Sequence, residues 1–213
     1  MPRTSLITAL AFAAAITGAL AGCTAEPAPA PKPKPTQSAP AASGDGVLRI
    51  GTQTDAAAGG AAIVAAVELA VREINDAGGV NGAPVQVIHR GVAEAASADL
   101  VARGVDVILA EIGAESSDAF VIPISGSEYP DEGMATRLAQ MDPNVDNFTG
   151  AALSAYDEVV RIALAAVISG DDGAASLDFG LAAIDAGSTD CTSFGECSAA
   201  HTDGFPFKYA RAL

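Results

Sequence analysis

The clearest hydrophobic pattern in this chain is a helical repeat that stands between two short apolar runs. Four apolar residues follow one another at steps of four, four and three and so share one helix face: Ile63, Val67, Val71 and Ile74. The runs at 48–51 and 85–88 each have the length of a buried strand. The pattern therefore predicts a strand, a helix and a second strand.

Local signals mark the two ends of this predicted helix. Thr54 or Asp55 is a suitable N-cap, because short polar side chains accept hydrogen bonds from the first free N–H groups. Gly78 and Gly79 end the helix, since glycine adopts the left-handed conformation at low cost. Asn81 and Gly82 then turn the chain into the second strand.

The rest of the chain continues this alternation of strands and helices. Two more strands are predicted, at 105–109 and at 120–125, where Pro123 favours an edge position. Helices are predicted at 94–103, 131–141, within 148–169 and at 174–184. The chain is 50% hydrophobic but only 5% aromatic, so small aliphatic side chains must form its core. This predicts an α/β fold with helices packed on a parallel sheet.

The charge balance excludes one class of partner. Lys and Arg number 11 against 26 Asp and Glu, which gives a formal net charge of -15. Such a chain repels a phosphate backbone, so we expect no nucleic acid partner. An acidic surface of this kind is typical of proteins that are strongly hydrated.

The N-terminal residues predict export. Residues 1–22 contain a basic start, an apolar stretch and small residues, which is the layout of a signal peptide. The last of them, with Cys23, resemble the bacterial lipobox, which implies lipidation of that cysteine. Residues 23–46 are rich in Pro and Ala and predict a disordered linker. The domain then spans 47–213, outside the cell membrane and anchored to it by an N-terminal lipid.

The other two cysteines have two possible roles. With Cys23 used by the lipid, Cys191 and Cys197 are left to pair as a disulfide, which persists outside the cytoplasm. The alternative is a metal site with His201, but the spacing does not match the usual zinc patterns. We therefore expect a disulfide and no metal.

The sequence shows no pattern typical of an enzyme. The glycines after the first strand do not form the G-x-G-x-x-G motif of dinucleotide sites, and no G-x-S-x-G motif occurs. His89 is predicted to face solvent at the end of a strand. A hydrolase would need Ser, His and an acid brought together by the fold. We expect neither catalysis nor a cofactor.

A family resemblance rests on residues 68–88, ELAVREINDAGGVNGAPVQVI. This stretch is similar to the first helix and turn of the branched-chain amino acid family of ABC-transporter solute-binding proteins. VDVIL at 105–109 and SAYDEVV at 154–160 resemble later segments of that family. CTSFGEC at 191–197 resembles a small loop of actinobacterial members.

This resemblance implies a type I periplasmic-binding-protein-like fold with a doubly wound parallel sheet. It also implies that the protein binds a branched-chain or other small amino acid and delivers it to an ABC permease. In the family, hydroxyl groups after the third strand bind the ligand carboxylate, which points to Ser116 and Ser117. Ser127, after the fourth strand, is a further candidate. An alternative for Ser116 and Ser117 is that they cap the next helix.

Residues 47–213 are fewer than a family member contains, which changes the function that we expect. Family members have two lobes that close on the ligand, and they are nearly twice as long as residues 47–213. We therefore expect one lobe or an incomplete second lobe, which would leave an open half-site. The predicted function is an extracytoplasmic solute-binding lipoprotein of an ABC importer. The alternative is a truncated single-lobe interaction or vestigial protein that does not trap solute.

Overall fold

The computed structural model describes residues 38–55, 59–111, 119–126, 128–145 and 150–211. All of them belong to the unit Ser38–Leu213. Four strands form the central sheet: β1 (Arg49–Thr54), β2 (Gln86–Gly91), β3 (Val107–Ala110) and β4 (Phe120–Pro123). Their order is β2-β1-β3-β4, and every pairing in this sheet is parallel. The predicted α/β class with a parallel sheet is confirmed.

Six helices accompany the sheet within the described ranges. They are α1 (Gly60–Asp76), α2 (Ala96–Ala102), α3 (Glu132–Met141), α4 (Gly150–Ser169), α5 (Ala174–Asp185) and α6 (Phe194–Thr202). Two short strands, β5 (Thr189–Cys191) and β6 (Phe207–Tyr209), form a separate parallel pair. None of these helices is long and apolar enough to cross a membrane.

Helices flank both faces of the central sheet. Val107 and Leu109 of β3 belong to the large core that includes α1 and α4. The alternate residues Ile108 and Ala110 pack with Leu100 of α2 in a smaller cluster. Because successive strand residues point to opposite faces, β3 has to be apolar on both sides. All four of these β3 residues are buried.

Helix α1 has the predicted core face but begins later than predicted. Ile63, Val67 and Ile74 are fully buried. The N-cap is Gly59, with φ 96°, instead of Thr54 or Asp55. Thr54 is still in strand β1, because its backbone continues the pairing with β2.

The turn after α1 depends on glycine and on one amide side chain. A Cβ at Gly79 would collide with the backbone of Ala83, and its φ of 75° favours glycine. The Asn75 side chain accepts from the Val85 N–H at 2.8 Å and donates to the Val85 carbonyl at 3.1 Å. The end of α1 is thus fixed to the start of β2.

The disulfide region is more ordered than the small loop expected there. Cys191 ends β5 and Cys197 lies in α6, with Cα atoms 5.3 Å apart and the two sulfurs bonded. Ser193 is the N-cap of α6, and its hydroxyl accepts from the Glu196 N–H at 3.3 Å. The Glu196 carboxylate accepts in return from the Thr192 N–H at 2.7 Å. These reciprocal bonds at its first turn fix where α6 starts.

Residues 43–46, which we call the strap, are hydrogen-bonded to the loop between α4 and α5. The N–H groups of Ser43 and Gly44 donate to the Asp171 carboxylate at 3.1 and 2.9 Å. Gly46 N–H donates to Asp172 at 3.1 Å. Burial raises the pKa of Asp171, but the hydrogen bonds that it accepts outweigh this effect and hold that pKa below its ordinary value. The end of the predicted linker therefore contacts the domain.

A half-buried carboxylate, Asp106, lies near the strap at the start of β3. It accepts a hydrogen bond from the Arg49 N–H at 2.8 Å. Burial raises its pKa from 3.8 to about 6, and the negative charges of Asp172 and Asp45 act in the same direction. The ionised form of Asp106 is therefore disfavoured in the folded protein.

A network of three polar side chains joins α1, α3 and α4. The Arg137 guanidinium donates to both carboxylate oxygens of Glu73, at 2.5 and 2.6 Å, and to the Tyr156 hydroxyl at 3.0 Å. The Tyr156 hydroxyl donates to Glu73 at 2.6 Å. Burial and the Glu73 charge raise the pKa of Tyr156 to about 12.

We expect Asp106→Asn to stabilise the protein at neutral pH. A carboxyl whose pKa is higher in the folded state than in the unfolded state binds protons more tightly when folded. The resulting loss of stability begins as pH rises above about 4 and is complete above about pH 6. Thermal unfolding from pH 4 to 8 should show an advantage in melting temperature for the variant that grows between about pH 4 and pH 6 and stays constant above about pH 6. The exposed Asp178→Asn is the control, and an advantage that does not depend on pH would contradict this account.

We also expect Tyr156→Phe to lower the free energy of unfolding by about 1–2 kcal/mol, because a buried hydroxyl loses its bonds to charged groups. The matched control is Tyr129→Phe, at a side chain that is 79% exposed, where we expect almost no change. Urea unfolding measures both. Equal effects in the two variants would show that the network contributes nothing.

Candidate functional site

The carboxyl ends of the strands define the edge of the sheet where a ligand site is expected. In the order β2-β1-β3-β4, the chain runs from β1 to β2 on one side, and β3 pairs with β1 on the other side. This change of direction is where parallel sheets form a crevice, between the carboxyl ends of β1 and β3. The Asp55 N–H donates to the Glu111 carboxylate at 2.9 Å, which joins these two ends. A polar contact therefore links the ends of β1 and β3.

The serines predicted from the sequence lie outside the described residues. This is true of Ser116 and Ser117, which follow β3, and of Ser127, which follows β4. Cys23, the predicted lipidation site, also lies outside them. Their roles remain predictions, and the site has to be built from other side chains.

A cavity of about 450 Å³ opens beside this crevice, and we call it the edge cavity. Its walls come from the end of β1, one stripe of α1, the end of β2 and the end of α3. Its polar lining residues are Thr54, Glu68, His89, Arg90 and Asp142. The remaining lining residues are apolar or small: Gly60, Ala61, Val64, Ala65, Gly91 and Met141. Mostly apolar walls with a few polar groups are typical of small-molecule sites.

The sequence of α1 explains why the cavity exists. Ala61, Val64, Ala65 and Glu68 follow at steps of three, one and three, so they form a stripe beside the core face. Because Ala61 and Ala65 carry only methyl groups, this stripe leaves space between α1 and the edge of the sheet. The same helix thus fills the core with large side chains and opens the cavity with small ones.

A chain of hydrogen bonds crosses the wall of the cavity. Thr52 and His89 are paired across β1 and β2, and the Thr52 hydroxyl lies 2.7 Å from His89 Nδ1. His89 Nε2 lies 3.0 Å from a carboxylate oxygen of Glu68. A carboxylate only accepts, so Nε2 donates to Glu68, and in the neutral ring Nδ1 accepts from Thr52. His89 therefore fixes the position of the Glu68 carboxylate.

The prediction that His89 faces solvent at a strand end is wrong. Strand β2 continues to Gly91, three residues beyond the apolar run, because β1 supplies backbone partners along this whole length. The His89 side chain is only 27% exposed, and both of its ring nitrogens are hydrogen-bonded. These hydrogen bonds leave no local pattern in the sequence, because His89 meets Thr52 only when β1 and β2 pair.

Hydroxyl, imidazole and carboxylate in a row also occur in hydrolases, but this arrangement cannot present a nucleophile. Thr52 is 0% exposed, so its hydroxyl does not reach a substrate in the cavity. The members of this chain of hydrogen bonds that line the cavity are His89 and Glu68. The arrangement holds a carboxylate at the wall of the cavity.

The charges that line the edge cavity leave it negative. Arg90 donates to Asp99 at 2.6 Å and to the His89 carbonyl at 2.7 Å, so its charge is already paired. Glu68 and Asp142 bring two carboxylates without a further cation in the lining. A positively charged group of a ligand is therefore favoured near Glu68 and Asp142.

A second cavity, of about 320 Å³, lies beyond the end of β4. Arg211 contacts Asp157 there and donates to Glu128 at 3.3 Å. The Tyr209 hydroxyl donates to Asp157 at 2.9 Å. Burial raises the pKa of Asp157, which the Arg211 charge partly offsets. These groups satisfy one another and join the C-terminal residues to α4.

The described residues contain no group of three or more His, Cys, Asp or Glu side chains arranged to hold a metal ion. Compared with known proteins, the chain matches no protein-family model and no curated protein. The resemblance drawn from residues 68–88 therefore remains a prediction.

We expect Thr52→Val to weaken the fold and to release the His89 ring. Loss of one buried hydrogen bond should lower the free energy of unfolding by about 1–2 kcal/mol. NMR of the imidazole nitrogens should show His89 protonated at Nε2 in wild type and a mixture of tautomers in the variant. Thr202→Val, at an exposed threonine, is the control. An unchanged tautomer in Thr52→Val would contradict the proposed chain of hydrogen bonds.

Proposed function

We propose that this chain is an extracytoplasmic solute-binding lipoprotein of an ABC importer and that it binds a branched-chain or other small amino acid. The observation that carries this proposal is the edge cavity at the carboxyl end of a parallel sheet. Its volume lies within the roughly 300–1,000 Å³ that is typical of small-molecule sites. Its lining combines an apolar wall with carboxylates, which suits a small ligand that carries an ammonium group.

The strand order supports the finer description of the fold. A parallel sheet in the order β2-β1-β3-β4, with helices on both faces, is compatible with one lobe of a type I periplasmic-binding-protein-like fold. Residues 68–88, which carry the family resemblance, span the second half of α1, the turn and the first part of β2. Of these residues, Glu68 lines the edge cavity.

The proposed serines suit the same edge of the sheet. Ser116 and Ser117 come after β3, and Ser127 comes after β4. Carboxyl ends of parallel strands meet at one edge, so hydroxyl groups placed there can bind the ligand carboxylate.

The N-terminal residues supply the location in this proposal. Residues 1–22 are a signal peptide, Cys23 is acylated, and the linker that follows ends at the strap. The partners are the amino acid, an ABC permease and the membrane that holds the lipid. The protein binds its ligand without chemistry and without a cofactor.

A single-lobe interaction protein is the second candidate. One observation favours it: in the described part of the chain, all strands of the main sheet belong to a single four-stranded layer. Such a layer offers one wall to a solute, and binding on one side leaves the ligand in contact with water. Failure of every amino acid to bind would favour this candidate.

A screen of the twenty amino acids tests the first proposal. The lipid-free Cys23→Ser chain should melt at higher temperature with at least one small amino acid, by the equivalent of about 2.7 kcal/mol at one hundred times the Kd. A neutral sugar at the same concentration is the control. Calorimetry then gives the Kd. If no amino acid raises the melting temperature at millimolar concentration, the protein is not an amino acid binder.

A further inference from the structure

The Asp172 carboxylate contains a buried oxygen that has no hydrogen-bond partner in the described part of the chain. Asp172 lies in the loop between α4 and α5 and is only 3% exposed. Its Oδ1 accepts from the Gly46 N–H at 3.1 Å, whereas its Oδ2 has no partner. Among the described residues, no other buried side-chain nitrogen or oxygen lacks one. Buried charges are normally paired or bound to a cation, so this oxygen indicates a missing partner.

The strap covers this carboxylate and separates it from bulk water. A Cβ on Gly44 would collide with Asp172 Oδ1, and a Cβ on Gly173 would collide with the Ser43 hydroxyl. Glycine at both positions therefore lets the main chain of the strap lie directly against the loop between α4 and α5. Because solvent does not touch Oδ2, bulk water is not its partner.

The charges around Asp172 are mostly negative. Asp45 is paired with the Arg49 guanidinium at 2.7 Å, so that positive charge is already used. The Asp171 carboxylate accepts from N–H groups of the strap and of its own loop. Asp172 and Asp106 each accept from one N–H group in the described structure, and the Asp172 charge repels that of Asp106. No described Lys or Arg side chain forms an ion pair with Asp172, so a cation from solution is favoured there.

Calcium is the common cation that suits this position best. Ca²⁺ binds carboxylate and carbonyl oxygens in irregular geometry, whereas Mg²⁺ requires an octahedral shell and keeps several of its waters. An ion that reaches Oδ2 has to lose water, because this atom is shielded from solvent. No three acidic, His or Cys side chains converge within the described ranges, so main-chain carbonyl oxygens and water have to supply the other ligands.

We propose that Asp172 Oδ2 binds a Ca²⁺ ion beneath the strap, with main-chain carbonyl oxygens and water completing its coordination. The ion neutralises the buried charge and holds the strap against the loop between α4 and α5. Because the strap ends the linker predicted at 23–46, the ion also fixes the point where this linker joins the domain. One direct carboxylate ligand predicts weak binding, with a Kd of about 10⁻⁴–10⁻³ M. This site is separate from the edge cavity and does not depend on amino acid binding.

Thermal unfolding of the full lipid-free chain, first freed of metal with a chelator, tests this site. Ca²⁺ at about 10 mM should raise the melting temperature by about 3 °C or more, and Mg²⁺ at the same concentration should have a clearly smaller effect. Asp172→Asn keeps an acceptor for the Gly46 N–H but removes the charge, so its Kd for Ca²⁺ should rise about tenfold or more. The exposed Asp178→Asn should respond as wild type does.

NMR of the wild-type chain gives a second measurement that needs no variant. As Ca²⁺ is added, the amide signals of Gly44, Gly46 and Gly173 should shift and reach saturation together, while the signal of the exposed Gly195 stays in place. No rise in melting temperature and no shift of these signals at about 10 mM Ca²⁺ overturns the inference. Equal effects of Ca²⁺ and Mg²⁺, or an unchanged response in Asp172→Asn, mean general screening of an acidic surface and also overturn it.

Discussion

Helix α1 packs against the sheet and α4 on one face and lines the edge cavity with another, and the rest of the fold depends on this arrangement. Its large aliphatic residues, such as Ile63 and Ile74, are completely buried against the sheet and α4. Burial of each such side chain contributes about 1.5–3 kcal/mol, so this face holds the layers together. Glu73, on the same helix, pairs with Arg137 and so connects α3 to this core.

The ligand site proposed for this protein follows from the second stripe of α1. Small residues there keep the helix from closing on the edge of the sheet, and the pairing of Thr52 with His89 holds Glu68 in position. The first turn of α1 stays uncapped by any side chain, because its N-cap is Gly59. An imidazole and a carboxylate are thus placed at the wall of one cavity by the packing that stabilises the domain.

The sequence predicted the parts of the fold that depend on local pattern. The order of strands and helices through α5 follows from apolar periodicity and glycine stops. Contacts between distant residues carry no such signal: the strap meets Asp171 across more than a hundred residues, and His89 gains its partners only when β1 and β2 pair. Ser193 and Glu196 did carry a local capping signal for α6, which the loop interpretation overlooked. Thr54 was predicted to cap α1 because the apolar run of the first strand ends before it. In the structure, β1 extends beyond that run and includes Thr54.

The most direct test of the central claim is an NMR titration that maps where an amino acid binds. Backbone amide signals of the uniformly labelled, lipid-free chain are followed while leucine is added. The edge cavity as the ligand site predicts shifts at Thr54, Ala61 and Gly91, with little change at Ser154 in the second cavity. Shifts confined to the second cavity, or no shifts with leucine, would contradict it.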